Sequence, residues 1–185
     1  MKRVFFLAFI LSCLLGQSTF SQDSKTLTKI NKKVKLEFNL DQHGVPSYSV
    51  FFEGRPVIQP SRLGFKLSNA GNLDSNFVVI KTASKSVDEA WKPVLGEVSS
   101  INNRYQQLTV QLKEQSETGR LLNIVFKVYE EGVGFRYEFP VQPNLKFFIV
   151  SDELTEFNLT GNHKAFWIPG DFDSNEYLYT TSTIL

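Results

Sequence analysis

Thiol chemistry is the first thing this sequence lacks. Its one cysteine, Cys13, falls inside an apolar run near the N-terminus. Lys2-Arg3, the apolar stretch Val4 to Leu15 and the small-x-small site Thr19-Phe20-Ser21 follow the order of a secretory signal peptide. At ~1.5 Å rise per residue that stretch is too short to cross a ~30 Å hydrocarbon core. The predicted division is a signal peptide over 1–21 and a mature domain over 22–185 that leaves the cytoplasm. Apolar residues continue past Cys13, which argues against a lipid anchor there. Cleavage removes Cys13, so the mature chain has no disulfide, thiolate metal site or cysteine nucleophile.

Histidine is nearly as scarce. His43 and His163 are the only two, too few for a histidine-rich metal site or a triad, and His163 reads as a structural residue satisfying a loop. No nucleophile elbow, phosphate-binding glycine loop, zinc helix or dinucleotide fingerprint occurs. A field of one sign is missing too. The whole chain has a formal net charge of +1, and loss of Lys2 and Arg3 with the leader leaves about −1, so nothing recruits nucleic acid or an anionic membrane. Pro- or Ser-rich linkers, low-complexity runs and repeats are absent as well. The mature chain is therefore expected to form one domain, with a ragged start between Gln22 and Asn31.

Also lacking is any apolar stripe at helical spacing; the prevailing period is two. Val34, Leu36, Phe38 and Leu40 alternate with Lys35, Glu37 and Asn39, as a strand with one wet face requires. Tyr48, Val50 and Phe52 alternate next, and Glu53-Gly54 before Arg55 to Ile58 predicts a tight hairpin turn. Further strands are predicted at 63–67, 77–81, 108–112, 121–129, 134–139, 145–150, 156–159 and 165–168. Short connections at Asn69 to Asn72, Glu130 to Gly132, Gln142 to Asn144 and Gly161-Asn162 make the pairing mainly antiparallel, and so many strands must split into two layers. The predicted class is an all-β sandwich. Leu122 to Phe126 and Phe147 to Val150, apolar on both faces, are assigned to covered central strands, whereas the strand signal weakens between Ser84 and Tyr105, where 88–97 reads as a long connection suited to interaction. Most of the 17 phenylalanines are assigned to the core.

The chemically suggestive stretch is His163 to Tyr179. The apolar run Ala165 to Ile168 breaks at Pro169-Gly170 into a loop with Asp171, Asp173 and Glu176 among aromatics. Such oxygens suit a hard cation, and carboxylates with aromatic faces suit a sugar; acidic residues after Pro-Gly also commonly do no more than solvate a turn. An EF-hand is excluded, because Glu176 stands where the sixth-position glycine is needed and no glutamate closes the loop. Nor does the sequence fix a carboxylate pair at the separation glycoside hydrolysis requires. The sequon Asn158-Leu159-Thr160 falls in a predicted strand and is discounted.

Several blocks, in order, resemble a known family: Pro46 to Val50, Arg55 to Gly64, Trp91 to Glu97, Asn103 to Leu108, Gly132 to Pro140 and Phe166 to Asp171. From about residue 26 onward the sequence resembles the amino-terminal region of glycoside hydrolase family 97, secreted bacterial α-glucosidases and α-galactosidases of the starch-utilisation type. The resemblance implies a large, mainly antiparallel β-sandwich (a β-supersandwich), incomplete in this chain, that packs on a catalytic (β/α)8 barrel lying outside it. It further implies a calcium-dependent, exo-acting α-glycosidase that cleaves terminal α-glycosidic bonds of oligosaccharides, with this piece inactive alone. One site residue carries over, Glu176 in Asn175-Glu176-Tyr177, matching a sandwich glutamate that helps bind the catalytic calcium. Leu95 departs from a family tryptophan before Gly-Glu. The alternative expectation is a stand-alone secreted carbohydrate-binding sandwich with Trp167, Phe172, Tyr177 and Tyr179 as its platform.

Overall fold

The computed structural model describes residues 25–170 and 176–184. The predicted signal peptide and the loop residues Asp171, Phe172 and Asp173 lie outside these. Two four-stranded antiparallel sheets make the body. The first runs β1 (Lys25–Asn31), β2 (Val34–Leu40), β3 (Pro46–Phe52), β4 (Arg55–Arg62) in spatial order. After the short β5 (Phe65–Leu67), the second runs β6 (Phe77–Trp91), β7 (Ile101–Glu114), β8 (Leu121–Val128), β9 (Val133–Glu138). β10 (Val150–Glu153) pairs with β5, and β11 (Lys164–Trp167) pairs with β12 (Thr180–Thr183). All pairings are antiparallel, and no helix occurs among the described residues.

The alternating residues of β2 do what their period dictates. Val34, Leu36, Phe38 and Leu40 are each 2% exposed or less, while Lys35, Glu37 and Asn39 stay half-buried. Facing them, Leu122, Ile124, Phe126 and Val128 of β8 are fully buried. Phe126 joins the layers, its ring centroid 6.0 Å from Phe38, 6.4 Å from Tyr48 and 5.7 Å from Phe135. Each such side chain contributes about 1.5–3 kcal/mol on leaving water, and this interleaved stack is the main source of cohesion. The hairpin predicted at Glu53-Gly54 is present, with φ of 49° and 80° at the two turn residues, as a primed turn needs.

Two polar devices tie loops to this core. In the β2–β3 turn, Asp41 Oδ1 accepts from the backbone N–H groups of His43 and Val45, both at 2.8 Å, and Gly44 takes φ +68°. The turn then docks on the second sheet: Phe77 N–H donates to Gly44 O at 3.1 Å, and Asn76 N–H to His43 O at 2.8 Å. Close by, at Glu114, which pairs with Phe77 across β6–β7, buried Arg120 donates through Nε and Nη2 to the Glu114 carboxylate at 2.7 and 2.6 Å, and through Nη1 and Nη2 to the carbonyls of Gly71 and Asn72. Ser116 and Thr118 hydroxyls donate to the same carboxylate, so the buried charge pair is well satisfied.

Several expectations are corrected. The ragged start is ordered from Lys25, because β1 pairs with β2 along its whole length. The weak strand signal over 84–105 hides a ladder: β6 continues to Trp91 and β7 begins at Ile101, paired without interruption from Ser84, so the connection expected at 88–97 lies at 92–100. The strand expected at 145–150 fails until Val150, and Phe147 is 77% exposed, so this apolar run is not a covered central strand. Residues 156–159 form no regular strand. They run beside β4 through a bridge between Ile58 and Leu159, with Asn158 Nδ2 donating to Pro60 O.

Candidate functional site

The predicted break at Pro169-Gly170 is where β11 stops, after Trp167, and the chain returns as β12. Lys164 pairs with Thr183 and Trp167 with Thr180, and Trp167 Nε1–H donates to Ser182 Oγ at 3.1 Å. This hairpin is bare. Phe166 is 66% exposed and Trp167 47%, and successive strand residues point to opposite faces, so among the described residues neither face is fully covered. Tyr177, Leu178 and Tyr179 are exposed beside them. His163 serves the loop through its backbone, its N–H donating to Gly161 O and its carbonyl accepting from Ile184 N–H.

Glu176 lies in the connection that enters β12, on the exposed side of the chain. A carboxylate suits a hard cation such as calcium, which takes six to eight oxygens. Among the described residues no group of three or more His, Cys, Asp or Glu side chains is arranged to hold a metal. Glu176 alone offers at most two carboxylate oxygens toward such an ion. The companions named from sequence, Asp171 and Asp173, lie outside the described residues.

Two clefts flank the sandwich, and sequence reasoning found neither, because each gathers residues distant along the chain. One, of about 470 Å³, opens between β3–β4 and β9 and is apolar, lined by Tyr48, Val57, Ile58, Phe135 and Phe157 among others. The other, of about 520 Å³, is lined by Arg62, Asp74, Ser75, Glu153, Thr155 and Glu156. The Glu156 carboxylate is not poised for proton transfer. Glu156 accepts from the Arg62 backbone N–H at 3.0 Å and from Arg62 Nε at 3.3 Å, and these bonds, the backbone one foremost, hold its carboxyl below the usual range. A general acid needs the opposite shift. Glu156 instead clamps the segment after β10 onto β4.

Comparison with known proteins decides the family. Residues 28–185 match the model described as Glycosyl-hydrolase 97 N-terminal. This chain belongs to glycoside hydrolase family 97, as its N-terminal portion. A retaining alpha-galactosidase of Bacteroides thetaiotaomicron is 26% identical over 157 residues, covering 85% of this chain and 22% of that protein. A family 97 enzyme from Pseudoalteromonas sp. strain K8, solved with panose, superposes with TM-score 0.76 at 30% identity, over 85% of this chain and 24% of its own. A beta-arabinopyranosidase structure gives TM-score 0.66 at 26% identity, over 78% and 22% respectively. The chain thus spans about a quarter of the length of these relatives. The family and the all-β sandwich read from the sequence are both borne out.

Proposed function

We propose that this family 97 sandwich is the barrel-packing, active-site-completing domain of a calcium-dependent, exo-acting α-glycosidase that cleaves terminal α-glucosidic or α-galactosidic bonds. The observation that carries this reading is the bare β11–β12 hairpin. A two-stranded hairpin is marginal in water by itself, and this one exposes aromatics on both faces beside Glu176. Such an element suits insertion into a partner, and the relatives are about four times longer than the segment matched. Docked on a (β/α)8 barrel, it would bring Glu176 to a calcium whose other ligands come from that barrel. The relatives' activities, and the panose complex of one, favour an oligosaccharide substrate. The leader-like start supports export to the periplasm or cell surface.

On this reading the chain alone is inactive. It should hydrolyse neither aryl α-glucosides nor aryl α-galactosides, with or without calcium, and calorimetry should find calcium bound at roughly millimolar affinity or weaker. Turnover by the pure chain, or micromolar calcium binding, would overturn it. Exposed Trp167, Tyr177 and Tyr179 also favour a second reading as a stand-alone sugar-binding module; oligosaccharide binding by the isolated chain, lost in Trp167→Ala, would support that one instead.

A further inference from the structure

The second sheet ends on an open strand. β6 is its outer member, paired on one side with β7, and from Lys81 to Trp91 its other side meets no strand among the described residues. β8 covers β7 only from Gln106 to Lys113, so the five pairs from Val87↔Tyr105 to Trp91↔Ile101 stand as a two-stranded ribbon. Such a ribbon is marginal in water, and further strands are what steady one. The open edge is also well bounded. A register shift between Val79 and Lys81 interrupts it at one end, and Pro93, which has no N–H, follows it at the other. Between these limits every side chain but half-buried Val87 is exposed.

Charge on an edge strand ordinarily repels a newcomer. Here it is self-complementary. We infer that β6 pairs antiparallel with β6 of a second copy, about a two-fold axis at Val87, joining the two four-stranded sheets into one. That register sets Lys85 opposite the partner copy's Glu89, twice over by symmetry, with Ser86 opposite Asp88, Ser84 opposite Ala90, Ala83 opposite Trp91 and Val87 opposite itself. Opposite charges directly across a ladder stabilise it, and like charges destabilise it. The neighbouring registers are worse: a pivot at Ser86 matches no opposite charges, and pivots at Lys85 or Asp88 set that residue against its own image. Both charges are available for the pairing. Lys85 enters no ion pair among the described residues, and the Glu89 hydrogen bond from Asn103 Nδ2, at 2.6 Å, engages Oε1. Nine residues on each strand, Ala83 to Trp91, would exchange about eight to ten main-chain hydrogen bonds.

Sedimentation velocity on the mature chain, with a charge-reversal cycle, tests the pairing and its register together. Lys85 and Glu89 are exposed, so reversing either leaves the core intact. The parent should pass from monomer to dimer as its concentration rises. Lys85→Glu places like charges opposite each other at two symmetry-related positions and should weaken the dimer about tenfold or more, as should Glu89→Lys. The double variant Lys85→Glu/Glu89→Lys restores opposite charges and should recover the parent's affinity. A chain that stays monomeric up to about 1 mM overturns the inference. Dimers indifferent to both single reversals overturn it as well, since another face would then hold them. A double variant no tighter than the single ones has the same consequence.

Discussion

Glu114 and Arg120 form the best-buried ion pair described, with side chains 10% and 7% exposed. The Arg120 hydrogen bond is the foremost cause holding the Glu114 carboxyl below its ordinary value of 4.5. Because the folded value is depressed, this contribution to stability is complete above the unfolded value and fades as pH falls through the folded one. Glu114→Gln strands a buried guanidinium and should cost about 3 kcal/mol. Urea unfolding at neutral pH should report a lower midpoint at unchanged slope, and the variant should have a flatter stability profile below pH 4.5 than the parent. A midpoint unchanged within error would mean that the pair is not a keystone. Glu156, its carboxylate also held low but nearly at the surface, warrants no such expectation.

At the scale of elements, the β2–β3 turn is the joint between the sheets. A Cβ on Gly44 would lie 2.2 Å from Phe77 N and 2.5 Å from Phe77 O, backbone atoms that cannot yield, at a φ that already disfavours a side chain. Gly44→Ala should therefore destabilise by about 3 kcal/mol or more, whereas Gly54→Ala, at φ +80° but with open space around its Cβ, should cost only the backbone strain of about 1–2 kcal/mol; equal thermal melting of the two would contradict this joint. Which elements were legible follows the same physics. β2 and β3 announced themselves because one face of each is buried and the period of two records it, and β8 through a run apolar on both faces that the structure covers. The outer half of β6 left no such trace: Lys81 to Ala90 are exposed almost throughout and are held by cross-strand polar pairs, which leave no hydrophobic rhythm. Phe147 to Val150 misled in the opposite direction, since its apolar side chains lie largely outside the core. Of the site, the Pro-Gly break and exposed Glu176 were readable, while the clefts were not, being assembled from β4, β9 and the segment after β10.

The whole molecule is a sandwich with two projections, the β11–β12 hairpin carrying Glu176 nearby and the β6–β7 ribbon with its open edge. The hairpin is bare in this chain, and it makes sense on a domain that completes a larger enzyme. The central claim is that Glu176 serves a calcium site shared with the rest of that enzyme. It is tested most directly in a chimera, the Pseudoalteromonas sp. strain K8 enzyme carrying residues 28–185 of this chain in place of its own matching segment, by measuring calcium affinity and α-glycoside turnover side by side for the parent, Glu176→Gln and Asp173→Asn. The account predicts that Glu176→Gln lowers both together while Asp173→Asn leaves both nearly unchanged. Equal losses in the two variants, or no loss from Glu176→Gln, would contradict it.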